Sequence, residues 1–310
     1  MAHILLHLTS ARLLEVDQNL HPLGREAIKR RRGLVQLGCV LADLPHFHGM
    51  FSGVIKTALG RPHPPHPWAA RLHHQAPLKL GLRLIAQRGG DHPMGPLGRL
   101  ALGMGWFMHA ALDASLHPQL HKLVEKEVQG GMEALTAHRR IERVQAMLVH
   151  PRLAGMALDD DGYAWNACHL TDLAELEKTL THVDACVREE RSDAPGLTLW
   201  RQWLTGLQRY AQVARGRLDR AEGGAMDAAQ ARSRFYDAAG FEDQVLKAQA
   251  RALIWVNRLA IAFAMGDVDQ LALHDLATRF GEVDLDGTTP PSDASLGTEL
   301  VAQREQGSQY

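Results

Sequence analysis

Apolar residues recur at helical spacing along almost the whole chain, and that period confines it to an all-α fold. Trp200, Trp203, Leu204, Leu207, Ala211, Ala214 and Leu218 fall on one stripe, with Arg201, Gln208, Arg209 and Arg215 off it. A helix with one face in a core reads this way. Good helix formers dominate the composition. With 310 residues, 45% of them hydrophobic, the chain has apolar material for one large or two ordinary domains.

The pattern predicts a multi-helix bundle with helices near 8–20, 25–42, 50–59, 68–88, 97–116, 119–148, 171–191, 196–221, 225–238, 241–265 and 267–280. Proline and glycine punctuate it at His21-Pro22-Leu23-Gly24, through the Pro-rich stretch 60–67, between 88 and 96, and at Pro118. Proline lacks the donor N–H and disfavours helical geometry in the residue before it. One short hairpin is expected near 152–168, around the turn-forming Asp159-Asp160-Asp161-Gly162. Residues 1–150 read as one helical domain, 151–283 as a C-terminal helical region packed on it, and 284–310 as a polar, disordered tail. No internal repeat stands out.

The formal charge of −1 creates no field that would gather nucleic acid or anionic membrane nonspecifically. Three cysteines (Cys39, Cys168, Cys186) without a C-x-x-C pair write neither a disulfide framework nor a thiolate zinc site. The start, Met1 to His7, has no basic lead, and its apolar stretch is interrupted by histidine, so a cytoplasmic protein is expected. The longest apolar segment, Ala252 to Ala264, carries Asn257 and Arg258 and falls short of the ~20 residues of a membrane span. It reads as a buried helix.

Histidine is distributed unevenly: 15 of the 18 lie in residues 1–150. Within that half the chain runs His109-x-x-x-Asp113-x-x-x-His117-Pro118 and, further on, His138-x-x-x-Glu142. Residues four apart share a helix face, so each pair can reach one point in space. Pro118 is expected to end one helix and start the next, freeing His117 to swing between the two pairs. The apolar segment Leu100 to Met108 leads His109 into a core, where an unpaired ionisable group is costly and a metal ion is a fitting partner. Imidazole with carboxylate and no thiolate suits zinc, and manganese and iron(II) accept the same set.

The segment Gly105-Trp106-Phe107-Met108-His109-Ala110-Ala111-Leu112-Asp113-Ala114-Ser115-Leu116-His117-Pro118 resembles the zinc-dependent phospholipase C family, whose α-helical trinuclear zinc fold is shared with a class of nucleases. The likeness covers about residues 1–145. It extends to Leu6-His7-Leu8, to Leu37-Gly38-Cys39-Val40-Leu41-Ala42-Asp43, to His73 or His74, and to His138 with Glu142. It implies one zinc held by Asp43, His73, His109 and Asp113 and a second by His117, His138 and Glu142. A third would use His7, Asp113 as a bridge, and the N-terminal amine and carbonyl. Members of the family begin with tryptophan after processing, whereas this chain begins Met1-Ala2.

The resemblance also implies a metal-dependent phosphoric ester hydrolase, in which Asp43 orients or deprotonates the attacking water. The partner is then a phosphate ester, phospholipid included, with Phe47, Phe51 and Trp68 in segments suited to a headgroup. A nuclease-like phosphodiesterase is the near alternative; 5% aromatic residues leave little for either a headgroup pocket or base stacking, so a small soluble phosphodiester or a phosphomonoester stays open. From another class, the first half could be a metal-stabilised scaffold whose C-terminal helices bind a protein or a second copy. Lys29-Arg30-Arg31-Arg32 reads as a solvated helix face, His63 to Trp68 as an exposed loop, and His274-Asp275 as a surface pair.

Overall fold

The computed structural model describes residues 3–49, 66–74, 77–86, 94–154, 173–191, 193–215 and 228–264. Every regular element among them is helical. They are α1 (His3–Val16), α2 (Pro22–Val40), a 3-10 turn (Leu44–Phe47), α3 (Pro67–His74), α4 (Pro77–Ile85), α5 (Gly95–Gln129), α6 (Ala134–Ala154), α7 (Leu173–Glu190), α8 (Leu197–Arg215), α9 (Ala228–Arg232), a π turn (Ser233–Asp237) and α10 (Phe241–Ala264). The expected helices at 50–59 and 267–280 lie outside the described residues, as does the tail.

The 35-residue helix α5 is the axis of the molecule. It is buried without a break from Gly98 to Ala114, with apolar or small residues on most of its faces and Arg99, His109 and Asp113 the buried polar exceptions. Helices α2, α10, α4 and α6 pack around it. The tightest crossing is with α2, where Gly38 and Gly105 abut. A Cβ at Gly38 would lie 2.2 Å from the Leu102 carbonyl oxygen, and one at Gly105 would lie 2.0 Å from that of Val35. Only paired glycines let these backbones touch.

Helix α10 bears out the buried-helix reading of its apolar segment. Asn257 within it accepts from the His21 N–H at 2.7 Å and donates to the Asn19 carbonyl at 2.9 Å, tying down the α1–α2 connection. Trp255 packs edge-on against Phe107 of α5. Among the described residues no helix is long and apolar enough to cross a membrane. In α8, Trp200, Trp203, Leu204 and Leu207 are buried as the stripe predicts. Three arginines of the basic run are paired on the surface, Arg30 with Glu26, Arg31 with Glu175 and Arg32 with Glu15.

Four expectations need correction. Helix α5 runs straight through Pro118, so His117 is helical, and the break falls instead at Gly130-Gly131, where Gly131 adopts φ 93°. Proline removes one helical hydrogen bond at a cost of about 3 kcal/mol, but the turns on either side of it bury Leu116 and Leu120, and glycine is the better terminator. Within the expected helix 68–88 the described residues form two helices, Pro67–His74 and Pro77–Ile85, the second starting at a favoured first helical residue. Residues 152–154, expected to enter a hairpin, close α6 in helical geometry, and 155–168 lie outside the described residues. Of the expected helix 225–238, the described residues form α9 (Ala228–Arg232) continued by the π turn.

Candidate metal centre

Four segments converge on one buried point. Helix α1 contributes His7 from its second turn, the 3-10 turn contributes Asp43 as its N-cap, α3 contributes His73 from its last turn, and α5 contributes His109 and Asp113. The Gly38–Gly105 crossing is what brings the end of α2, and hence Asp43, against the His109 turn of α5.

The donor atoms of His73, His109 and Asp113 are spaced to hold one ion, and those of His7, Asp43 and His109 also gather within 4.8 Å of one another. Ligands bound at ~2.1 Å stand roughly 3.4 Å from one another. His73 Nε2 lies 3.4 Å from Asp43 Oδ1, 3.5 Å from Asp113 Oδ2 and 3.3 Å from His109 Nε2, and His109 Nε2 lies 3.0 Å from Asp113 Oδ2. His7 takes the other side of the carboxylates, its Nε2 being 3.3 Å from Asp113 Oδ1 and 3.8 Å from Asp43 Oδ2. Its ring stacks on His109 with centroids 4.0 Å apart.

Second-shell contacts, which no motif signals, fix the tautomers. His109 Nδ1 donates to the Cys39 carbonyl at 2.9 Å and His73 Nδ1 to the Ala69 carbonyl at 2.7 Å. A carbonyl can only accept, so both rings carry their proton on Nδ1 and turn Nε2 lone pairs toward each other. Two facing lone pairs repel unless a proton or a cation lies between them. Without an ion, burial alone would lower the His73 pKa, but the hydrogen bond and charge of Asp43, with the charge of Asp113, outweigh it and raise the value to about 9. Two carboxylates against imidazoles in a dry core form a negative site, and a divalent ion matches that charge.

His7, His109 and Asp113 are 0–1% exposed in their side chains, whereas Asp43 is 10% and His73 8% exposed, so the centre meets the surface at Asp43 and His73. Of the two adjacent histidines, His73 is buried among these groups and His74 is exposed. The N-terminal amine lies outside the described residues.

The second set is looser. His117 Nε2 stands 3.9 Å from Asp113 Oδ1 by helical spacing rather than by any swing at Pro118, and His138 Nε2 stands 3.0 Å from Glu142 Oε1. The His117 and His138 rings are 6.2 Å apart. Two histidines went unassigned from sequence. His121 continues the stripe of His109, Asp113 and His117, and its spacing in the chain is the signal that would have found it. His46 sits edge-on to His73 at 6.1 Å, and its pKa is lowered by burial to about 4, leaving it neutral beside Asp43.

No family model, no curated protein and no solved structure matches this chain.

Proposed function

We propose that the chain is a metal-dependent phosphoric ester hydrolase whose ion is held by His73, His109, Asp113 and Asp43. The support is the 3.0–3.5 Å spacing of the His73, His109 and Asp113 donor atoms, with Asp43 Oδ1 3.4 Å from His73 Nε2, in a buried site of matching charge. The residues fit zinc, and manganese or iron(II) would accept the same donors. The choice of a phosphate ester, phospholipid among the candidates, rests on the His109 to Pro118 segment that resembles the zinc-dependent phospholipases C. A divalent ion in this position supplies Lewis acidity and neutralises negative charge on the ester.

The chain's own residues do the rest. Asp43, the carboxylate nearest the surface, orients the attacking water and takes its proton. His7 backs Oδ2 of that carboxylate at 3.8 Å and limits its rotation. The Cys39 and Ala69 carbonyls keep His109 and His73 from turning away. Proton transfer by a positioned side chain contributes about 10²–10⁴-fold to rate. Asp43→Asn in the metal-loaded full chain should therefore lower turnover of bis-p-nitrophenyl phosphate by at least about 100-fold. Equal turnover by the two proteins, or none by metal-loaded wild type, would refute the reading.

One observation favours a second reading, a metal-stabilised helical scaffold. With Asp43 added to His73, His109 and Asp113 the ion would have four protein donors, and closed sites are characteristically structural. On that reading zinc raises the melting temperature of wild type without conferring turnover, and any partner binding survives Asp43→Asn.

A further inference from the structure

Beyond the metal ligands, α5 presents a different chemistry on its opposite side. With ~3.6 residues per turn, Gln119, Lys122 and Lys126 are turned roughly half a revolution from Asp113 and lie about 9–20 Å further along the axis. They face the segment that follows α9. Between the two runs opens a cleft of about 370 Å³, lined by Lys122, Lys126 and Arg234, with Leu123, Ala238 and Ala239 as its apolar wall. That volume falls in the range of small-molecule sites, roughly 300–1,000 Å³.

Hydrogen bonds and one ion pair fix the walls. Gln119 Nε2 from α5 and Gln244 Nε2 from α10 both donate to the Ala239 carbonyl at 2.7 Å. The Arg234 guanidinium pairs with Glu127, a carboxylate only 6% exposed, and lies over the Phe235 ring at 5.7 Å. Arg234 belongs to the π turn, a geometry frequent at functional sites.

The charges around the cleft do not balance. Lys122 and Lys126 are four residues apart, so their ammonium groups share a face and repel each other. Neither pairs with Glu125, which lies between them in the chain, or with any other carboxylate among the described residues. Glu127 is engaged by Arg234, and Asp237 by Arg232 at 3.4 Å. A guanidinium has five N–H donors and a carboxylate takes at most two in a forked pair, so Arg234 keeps donors to spare.

We propose that this cleft binds a phosphoryl dianion, as a small phosphate monoester or as free phosphate, held by Lys122, Lys126 and Arg234. Bonds from ammonium and guanidinium groups to such oxyanions are charge-assisted, and two negative charges match two unpaired lysines. The organic part of a monoester lies against Leu123, Ala238 and Ala239. The site is separate from the metal centre and depends on no activity there.

Isothermal titration calorimetry of the full chain with phenyl phosphate tests the proposal at about pH 8, where that probe is a dianion. The titration is run on protein as purified and again after metal is stripped and the chelator dialysed away. In both states wild type should bind one equivalent, more weakly as salt rises. Lys122→Ala/Lys126→Ala should weaken binding by at least about 10-fold, because bonds to charged groups are the stronger class. Lys29→Ala/Lys178→Ala, equal in charge and at exposed positions of other helices, should bind as wild type. Lys122 and Lys126 are exposed too, so both variants should fold, as far-UV circular dichroism checks. Inorganic phosphate as competitor identifies the source. Displacement at concentrations equal to the probe means that the dianion alone is read, and displacement only in excess means that the organic part is read as well. No binding by wild type, unchanged binding in the Lys122/Lys126 variant, or equal weakening in both double variants would overturn the proposal. Binding that requires metal and survives loss of Lys122 and Lys126 would also overturn it, placing the anion at the metal centre.

Discussion

Gly105→Ala tests whether one backbone contact sets the metal centre. The added methyl would lie 2.0 Å from the Val35 carbonyl oxygen, 2.8 Å from the Cys39 nitrogen and 2.9 Å from the Gly38 Cα. All three are backbone atoms of α2, so no side chain can rotate aside. Carbon and carbonyl oxygen tolerate about 3.3 Å, so α2 and α5 must separate by about 1.3 Å. The bond from His109 Nδ1 to the Cys39 carbonyl, now 2.9 Å, would stretch beyond hydrogen-bonding range. Overpacking costs about 1–3 kcal/mol and the lost buried hydrogen bond about 1 kcal/mol. The higher helix propensity of alanine returns about 1 kcal/mol. A net loss of roughly 1–3 kcal/mol is expected in urea unfolding of the metal-free protein. With His109 no longer held, zinc affinity should fall about 10–100-fold. The control is Gly130→Ala, whose Cβ would meet nothing nearer than 3.3 Å. Wild-type stability and zinc affinity in Gly105→Ala would refute the claim that this crossing positions the site.

Three further outcomes are expected. In metal-free protein the His73 pKa, raised to about 9 in the fold, stabilises fully below the ordinary value near 6.5 and is lost as pH climbs through about 9. Urea midpoints in chelator should fall across that window, and a flat profile would contradict the Asp43–His73–Asp113 geometry. Asp113→Asn removes a carboxylate that faces His73, His109 and His7, so zinc binding at the first centre should weaken by more than about 100-fold in equilibrium dialysis, and near-wild-type affinity would exclude Asp113 as a ligand. Far from the centre, Asp184 Oδ1 accepts from the Gly196 N–H at 2.7 Å and the buried Trp200 Nε1–H at 3.1 Å, joining α7 to α8. Asp184→Ala should lower unfolding stability by about 1–3 kcal/mol without altering zinc binding, because it strands a buried donor.

Local periodicity by itself determined the helical class, the buried face of α8, the buried character of α10 and the pairing of His109 with Asp113. Each of these depends on residues within a few turns of one helix, where spacing translates directly into a shared face. Pro118 marks the limit of such reasoning. A local rule breaks the helix there, but burial of Leu116 and Leu120 outweighs one missing hydrogen bond, and His117 and His121 stay on the stripe. Periodicity could not say which distant groups join that pair; the resemblance implied His7, Asp43 and His73 or His74, and the tertiary structure sets His7, Asp43 and His73 beside it. Separations of up to 106 residues, from His7 to Asp113, carry no periodicity, and the choice of His73 over its neighbour His74 depends on which face of α3 meets α5. The carbonyls of Cys39 and Ala69 were equally illegible, since every residue offers one and only packing aims it. The paired glycines connect the two levels. Gly38 and Gly105 are visible in the chain, but their role comes from the close approach of α2 and α5, which sets Asp43 beside His109.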